Sequence, residues 1–145
     1  MFFPSCKIKA AFPVEDAKLA QYLEKRWGIP ASECCRANRA NLTVKDEAVV
    51  VCHTCASIME ESSAASKVVY AWEYIDRDVD FPFPDYQGEK VTLQACYMSK
   101  ERANVQEAVR SLLRKMNFQV VELAKNRENV DFCGLRSQKP LADNQ

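Results

Sequence analysis

The sequence has no surplus of positive charge. Lys plus Arg number 20, and so do Asp plus Glu. No basic block gathers charge on one stretch, so the phosphate-binding surface that nucleic acid requires is missing. No apolar run approaches the roughly 20 residues that a membrane helix needs. The opening "MFFPSCKIK" lacks a basic leader and its apolar stretch stops within a few residues, unlike a secretory signal. The cytoplasm is therefore the expected location. No carboxylate pair and no Ser/His/Asp arrangement points to hydrolysis, and Glu60 and Glu61 read as a solvated helix face. Histidine occurs once, at His53.

Cysteine is what the chain has in quantity, 7 in 145 residues. An odd number cannot all pair within one chain. In a reducing compartment such a set is more often metal-binding or catalytic than a disulfide framework, although some members can be small buried hydrophobes. Hydrophobic residues make up 48% of the chain, enough to build a core without disulfides. The stretch "EAVVVCHTCASIMEE" joins a short apolar run to Cys52-His53-Thr54-Cys55 and a helix-like segment. Alone, it reads equally as a redox dithiol, as half of a metal site, or as two unrelated cysteines.

Organisation along the chain narrows this. "MFF" reads as a strand ending at Pro4, Ser5 and Cys6. A helix is expected from Val14, with Glu15 and Asp16 at its positive end, Leu19, Leu23 and Trp27 on one face, and a stop at Gly28 and Pro30. "GIPASECC" suits a short strand or turn ending at Cys34 and Cys35. "AVVVC" is a continuous apolar run, as in a strand covered on both faces, and "ASIMEES" begins a helix.

The second half repeats the order. "SKVVYAWEYI" is β-rich, and "DRDVDFPFPDYQGEK" is a proline-punctuated loop whose aromatics pack over a sheet edge or meet a partner. "KVTLQAC" is a strand ending at Cys96, with Ser99 as helix N-cap. Val105, Ala108, Val109, Leu112, Leu113 and Met116 keep helical spacing, "FQVVEL" is a further strand, and "NVDFCGL" carries Cys133. The alternation predicts an α/β fold, a largely parallel sheet flanked by helices and built from two βαβ-type repeats, 1–66 and 67–145. Parallel strands share one carboxyl edge, where ligands bind in open α/β sheets. Cys6, Cys52 and Cys96, each following a strand, are expected to gather there.

The spacing in the first half is Cys6, 27 residues, Cys34-Cys35, 16 residues, then Cys52-x-x-Cys55; the second half has Cys96, 36 residues, and Cys133-Gly134. With "PSC", "ECC", "VVVCHTC" and later "VDFCG", this pattern resembles the cysteine-rich CCG domain of heterodisulfide reductase B subunits, over nearly the whole chain. The resemblance implies two tandem α/β copies whose cysteines hold a noncubane, four-iron type of iron–sulfur cluster, with zinc as the alternative. By position, Cys6, Cys34, Cys35, Cys52 and Cys55 would be the complete ligand set, and Cys96 and Cys133 a weaker second site.

Four departures accompany the likeness. Arg36 stands where the family has glycine, the loop from Cys35 to Cys52 is short for the family, Phe132 stands where it has the first cysteine of the second pair, and no closing Cys-x-x-Cys follows. The second set is thus vestigial, completed by another chain, or cut short.

The resemblance further implies an oxidoreductase subunit for electron transfer or thiol/disulfide reduction. Its partners would carry flavin or further iron–sulfur centres, and a homo-oligomer is also open. The competing readings are a non-catalytic zinc-binding scaffold or interaction protein, and a metal-free dithiol reductant using Cys52 and Cys55. Soft thiolates suit either metal. Arg36 is read as a surface residue or as a charge opposite the cluster, His53 as a bystander, a ligand or a proton donor, and Trp27 and Trp72 as packing residues.

Overall fold

The computed structural model describes residues 1–132, so Cys133 lies outside the described residues. The fold is mixed helix and strand, with small parallel sheets flanked by helices. It divides into two compact units, Met1–Arg77 and a second beginning at Asp78. Among the described residues no helix is long and apolar enough to cross a membrane.

The first unit is built on three parallel strands in the order β1 (Phe2–Phe3), β2 (Glu47–Val50) and β3 (Lys67–Tyr70). Phe2 faces Val49, and Val49 faces Val69. Helix α1 (Cys6–Ala11) follows β1 directly and leads into α2 (Pro13–Trp27). Pro13 opens α2, where its missing N–H costs nothing, and Glu15 and Asp16 face the positive end of the helix. Gly28 closes it at φ 66°, a left-handed value that glycine adopts without a Cβ clash. Leu23 is fully buried against Phe2, Val49 and Ala71, and such a side chain contributes about 1.5–3 kcal/mol of transfer free energy.

β2 is the centre of the unit: Ala48, Val49 and Val50 have no exposed surface, as its apolar run foretells for a strand covered on both faces. Helix α3 (Cys35–Asn38) precedes it, and α4 (His53–Ser62) follows it and buries Cys55, Ala56 and Met59 on one face. The "GIPAS" stretch contributes a single parallel bridge, Phe2 to Ala31, held by Phe2 N–H to Pro30 O at 2.9 Å and Ser32 N–H to Phe2 O at 2.7 Å. This contact carries Cys34 and Cys35 past the end of β1.

β3 departs from the expected halves. The strand reading of "SKVVYAWEYI" holds only to Tyr70, and Ala71–Arg77 is a helix, α5. Its start is fixed locally by Glu73, whose carboxylate accepts the Tyr70 N–H at 3.0 Å. Because β3 pairs with β2, the first unit runs past residue 66 to Arg77.

In the second unit β4 (Lys90–Thr92) pairs in parallel with β5 (Gln119–Val121), and α6 (Ala103–Lys115) connects them. Tyr86 stacks on Phe118 with ring centres 4.2 Å apart, and Asp85 accepts from Gln87 N–H and Asn117 Nδ2, so the proline-rich loop is pinned beside the α6–β5 turn. Ser99 is not an N-cap. It is buried in a 3-10 turn, Tyr97–Ser99, donates to Cys96 O at 2.6 Å, and lends its carbonyl to Gln106 at 2.7 Å. α6 starts at Ala103. The expected single edge bearing Cys6, Cys52 and Cys96 is not formed either, because β4 belongs to a different sheet from β1 and β2.

Candidate functional site

The carboxyl ends of β1 and β2 are adjacent because the strands are parallel neighbours. Cys6 begins α1 just beyond β1, and Cys52 is the N-cap of α4 just beyond β2. Cys55 lies in the first turn of α4, and Cys34 and Cys35 enter from the segment tethered to Phe2. The sulfurs of Cys6 and Cys34 are 3.8 Å apart, and those of Cys35 and Cys55 are 3.5 Å apart. Cys34 also contacts Cys35, and Cys52 contacts Cys55. The result is an open series, Cys6, Cys34, Cys35, Cys55, Cys52, running from exposed through buried to half-buried positions. All five are free thiols.

The thiols differ electrostatically. The Cys55 S–H donated to Cys52 holds the Cys52 thiol down at about 4 against the opposing effect of burial, helped by the N–H groups of Cys55 and Thr54 and the Ser5 hydroxyl. Cys55, as donor to Cys52 and in a buried position, is pushed far up. Cys34 is lowered by the N–H groups of Arg36 and Ala37, while Cys6, whose S–H points at Cys34, is raised. At each end of the row a thiol pushed up donates to one held down, Cys6 to Cys34 and Cys55 to Cys52.

A metal tests differently. Thiolate–metal bonds of about 2.3 Å place two sulfurs of a tetrahedral ion ~3.8 Å apart, which the Cys6–Cys34 and Cys35–Cys55 separations approximate. Among the described residues, no three or more His, Cys, Asp or Glu side chains stand ready around one point. Pairs, not trios, have ligand spacing. The donor chemistry fits a soft metal or an iron–sulfur centre.

His53 turns away from this row. Its Nδ1 lies 2.7 Å from the Tyr70 hydroxyl, and Tyr70 packs on Trp72 with ring centres 4.7 Å apart. Tyr70, at the carboxyl end of β3, and Ser5, after β1, are the neighbours of the site that cysteine spacing does not reveal. The place of Ser5 just after the short β1 run is a sequence signal that marks it, whereas the strand-favouring stretch runs on past Tyr70 and hides it. Replacing Tyr70 with Phe should cost about 1 kcal/mol, the net worth of one hydrogen bond, read by urea denaturation, while His53→Gln should cost no more.

Arg36 is exposed. Cys96 is exposed in the second unit, in the turn after β4. Nearby, Tyr97 meets Phe132 edge-on with ring centres 5.6 Å apart. In comparisons with protein-family models, curated proteins and solved structures, none matches this chain.

Proposed function

We propose that the chain is an iron–sulfur protein of the heterodisulfide reductase B type, an oxidoreductase subunit for electron transfer or thiol/disulfide reduction. Cys6, Cys34, Cys35, Cys52 and Cys55 would hold a four-iron, noncubane cluster. The observation that carries this reading is the row of five thiols, each touching the next, that three separate segments bring to the carboxyl ends of β1 and β2. Five thiolates exceed what one tetrahedral ion uses. When bound, the cluster supplies the redox chemistry. The protein's own share is placement and charge. The N–H groups of Thr54 and Cys55 and the Ser5 hydroxyl reach Cys52, and those of Arg36 and Ala37 reach Cys34. Such hydrogen bonds to sulfur stabilise an anionic centre and set its potential.

On this reading the second unit is an incomplete copy of the repeat, with Cys96 and Cys133 its remaining ligands. The partners are cytoplasmic subunits carrying flavin or further clusters. The second reading, a zinc-binding scaffold, is favoured by the 3.8 Å and 3.5 Å pairs, each of which has the spacing of two ligands on a tetrahedral ion. Iron and acid-labile sulfide content of anaerobically purified protein, with its visible spectrum, separates the two. Iron with sulfide and broad visible absorbance is expected, whereas colourless protein with stoichiometric zinc overturns the cluster.

Metal removal should leave the fold standing. Structural zinc contributes about 10–16 kcal/mol in small fingers that lack a core, but here Phe2, Leu23, Val49 and Ala71 form one without any cysteine. Circular dichroism after chelation should keep its α/β shape, and a coil spectrum would show that metal holds the unit together.

A further inference from the structure

Two members of the thiol array are placed for a reaction that needs no metal. Cys35 and Cys55 are its buried cysteines, 4% and 6% exposed, one from α3 and one from α4, with sulfurs in van der Waals contact at 3.5 Å. Cys55 also touches Cys52, which is half-buried. Cys55 is therefore shared between a half-buried thiol and a buried one.

We propose that a hydroperoxide oxidises the metal-free chain to a reversible Cys35–Cys55 disulfide, entering through Cys52, and that this bridge closes the site to metal by consuming two of its donors. The closing of the site rests on the metal-binding reading above; the bridge itself does not.

The electrons balance over three steps. The Cys52 sulfur attacks the hydroperoxide, forming an S–O bond as the O–O bond breaks, and the leaving oxygen takes a proton to give an alcohol, or water from hydrogen peroxide. Cys55 attacks the resulting sulfenic acid, forming an S–S bond as the S–O bond breaks, and hydroxide leaves as water with the Cys55 proton. Cys35 then attacks the Cys55 sulfur, losing its own proton, and Cys52 leaves, recovering a proton or remaining a thiolate. In sum, a pair of thiols and one hydroperoxide give a disulfide, an alcohol and water.

Two features drive the last exchange forward. The departing Cys52 sulfur is received by the Thr54 and Cys55 N–H groups and by the Ser5 hydroxyl, which makes it the better leaving group. The Cys35–Cys55 bridge lies where soluble thiols do not reach. The Cys6–Cys34 pair is also close, at 3.8 Å, but Cys6 is exposed, and a bridge there is open to reduction by the glutathione pool.

The test uses the full chain, reduced and stripped of metal by chelation, then treated with one equivalent of hydrogen peroxide. Mass-spectrometric fragmentation assigns the bridged residues, and zinc uptake is measured before oxidation, after it, and after dithiothreitol. Cys35–Cys55 should be the main bridge, kept in Cys34→Ser and lost in both Cys35→Ser and Cys35→Ala, with circular dichroism showing that the variants fold. Zinc affinity should fall by at least about tenfold on oxidation and return on reduction. A dominant Cys52–Cys55 or Cys6–Cys34 bridge overturns the proposal, as does a Cys35–Cys55 bridge that leaves uptake unchanged. A reduced chain that takes up no metal defeats the metal-binding reading and the closing of the site with it, while the bridge map still decides the oxidation chemistry.

Discussion

Serine in place of Cys55 should strip the chain of most of its metal, and serine in place of Cys96 should leave the metal content near that of the parent. Cys55 is the hinge of the array, since its sulfur touches both Cys52 and Cys35. A hydroxyl is a hard, weakly acidic donor and a poor substitute for a soft thiolate. The scale follows from structural zinc. About 10–16 kcal/mol shared over four thiolates is about 3 kcal/mol each, or a loss in affinity of about a hundredfold. Cys52→Ser should do the same. Cys96 follows β4 in the second unit's own sheet and is not a member of the row of five. Metal analysis by mass spectrometry after gel filtration, with circular dichroism as the check on folding, gives the comparison. Equal loss from Cys55→Ser and Cys96→Ser would show that the cysteines have been divided wrongly between the two units.

How much of this was legible in the sequence depended on whether the signal was local. The stop of α2 at Gly28, the buried run of β2 and the apolar stripe of α6 are local patterns, and each appears where the sequence predicts it. Cys52 at the end of β2 was legible for the same reason. The helix over Ala71–Arg77 was not, because "VVYAWEYI" is rich in residues that favour strands. What ends the strand is a single carboxylate, Glu73, turning back onto the Tyr70 N–H.

The partnership of Cys6 with Cys34 hangs on one bridge, Phe2 to Ala31, too short to leave a strand pattern. Sheet membership is longer-range still. Nothing within "KVTLQAC" says that β4 will pair with β5 and not extend the first sheet, and that choice removes Cys96 from the edge where Cys6 and Cys52 meet. The spacing of α6 likewise marks its apolar face but not the buried Gln106 and Arg110 that share it.

That buried arginine sets the second large effect: Glu122→Ala should destabilise the chain more than Arg110→Met. Arg110 is 1% exposed, and its guanidinium forks onto Glu122, with Nη2 to Oε2 at 2.8 Å and Nε on Oε1, while Nη1 donates to Gln106 O at 3.1 Å. Glu122 also accepts from Asn126 Nδ2 at 2.9 Å and Arg127 Nη2 at 3.1 Å. Asn126 in turn donates to Leu93 O and accepts from Ala95 N–H, tying the network to the segment that leads to Cys96. Removing Glu122 leaves a buried cation whose partner is gone. Removing Arg110 leaves a carboxylate that is 39% exposed and can turn to water.

The full cost of breaking a buried pair is about 3–5 kcal/mol. Screening at the exposed carboxylate reduces this to about 2 kcal/mol for Glu122→Ala, with about half that for Arg110→Met.

The same pair gives a pH signature. The Arg110 hydrogen bond, with help from Arg127 and against burial, holds the Glu122 carboxyl down at about 2. A depressed acid stabilises the fold fully above its unfolded value, about 4.3, and loses that contribution as pH falls towards the folded value. Urea denaturation of the full chain should therefore show stability falling between pH 4.5 and pH 2, and Glu122→Gln should flatten that part of the curve. An unchanged slope in Glu122→Gln would mean that other carboxylates carry the acid sensitivity and that the Arg110–Glu122 pair contributes little to holding the second unit together.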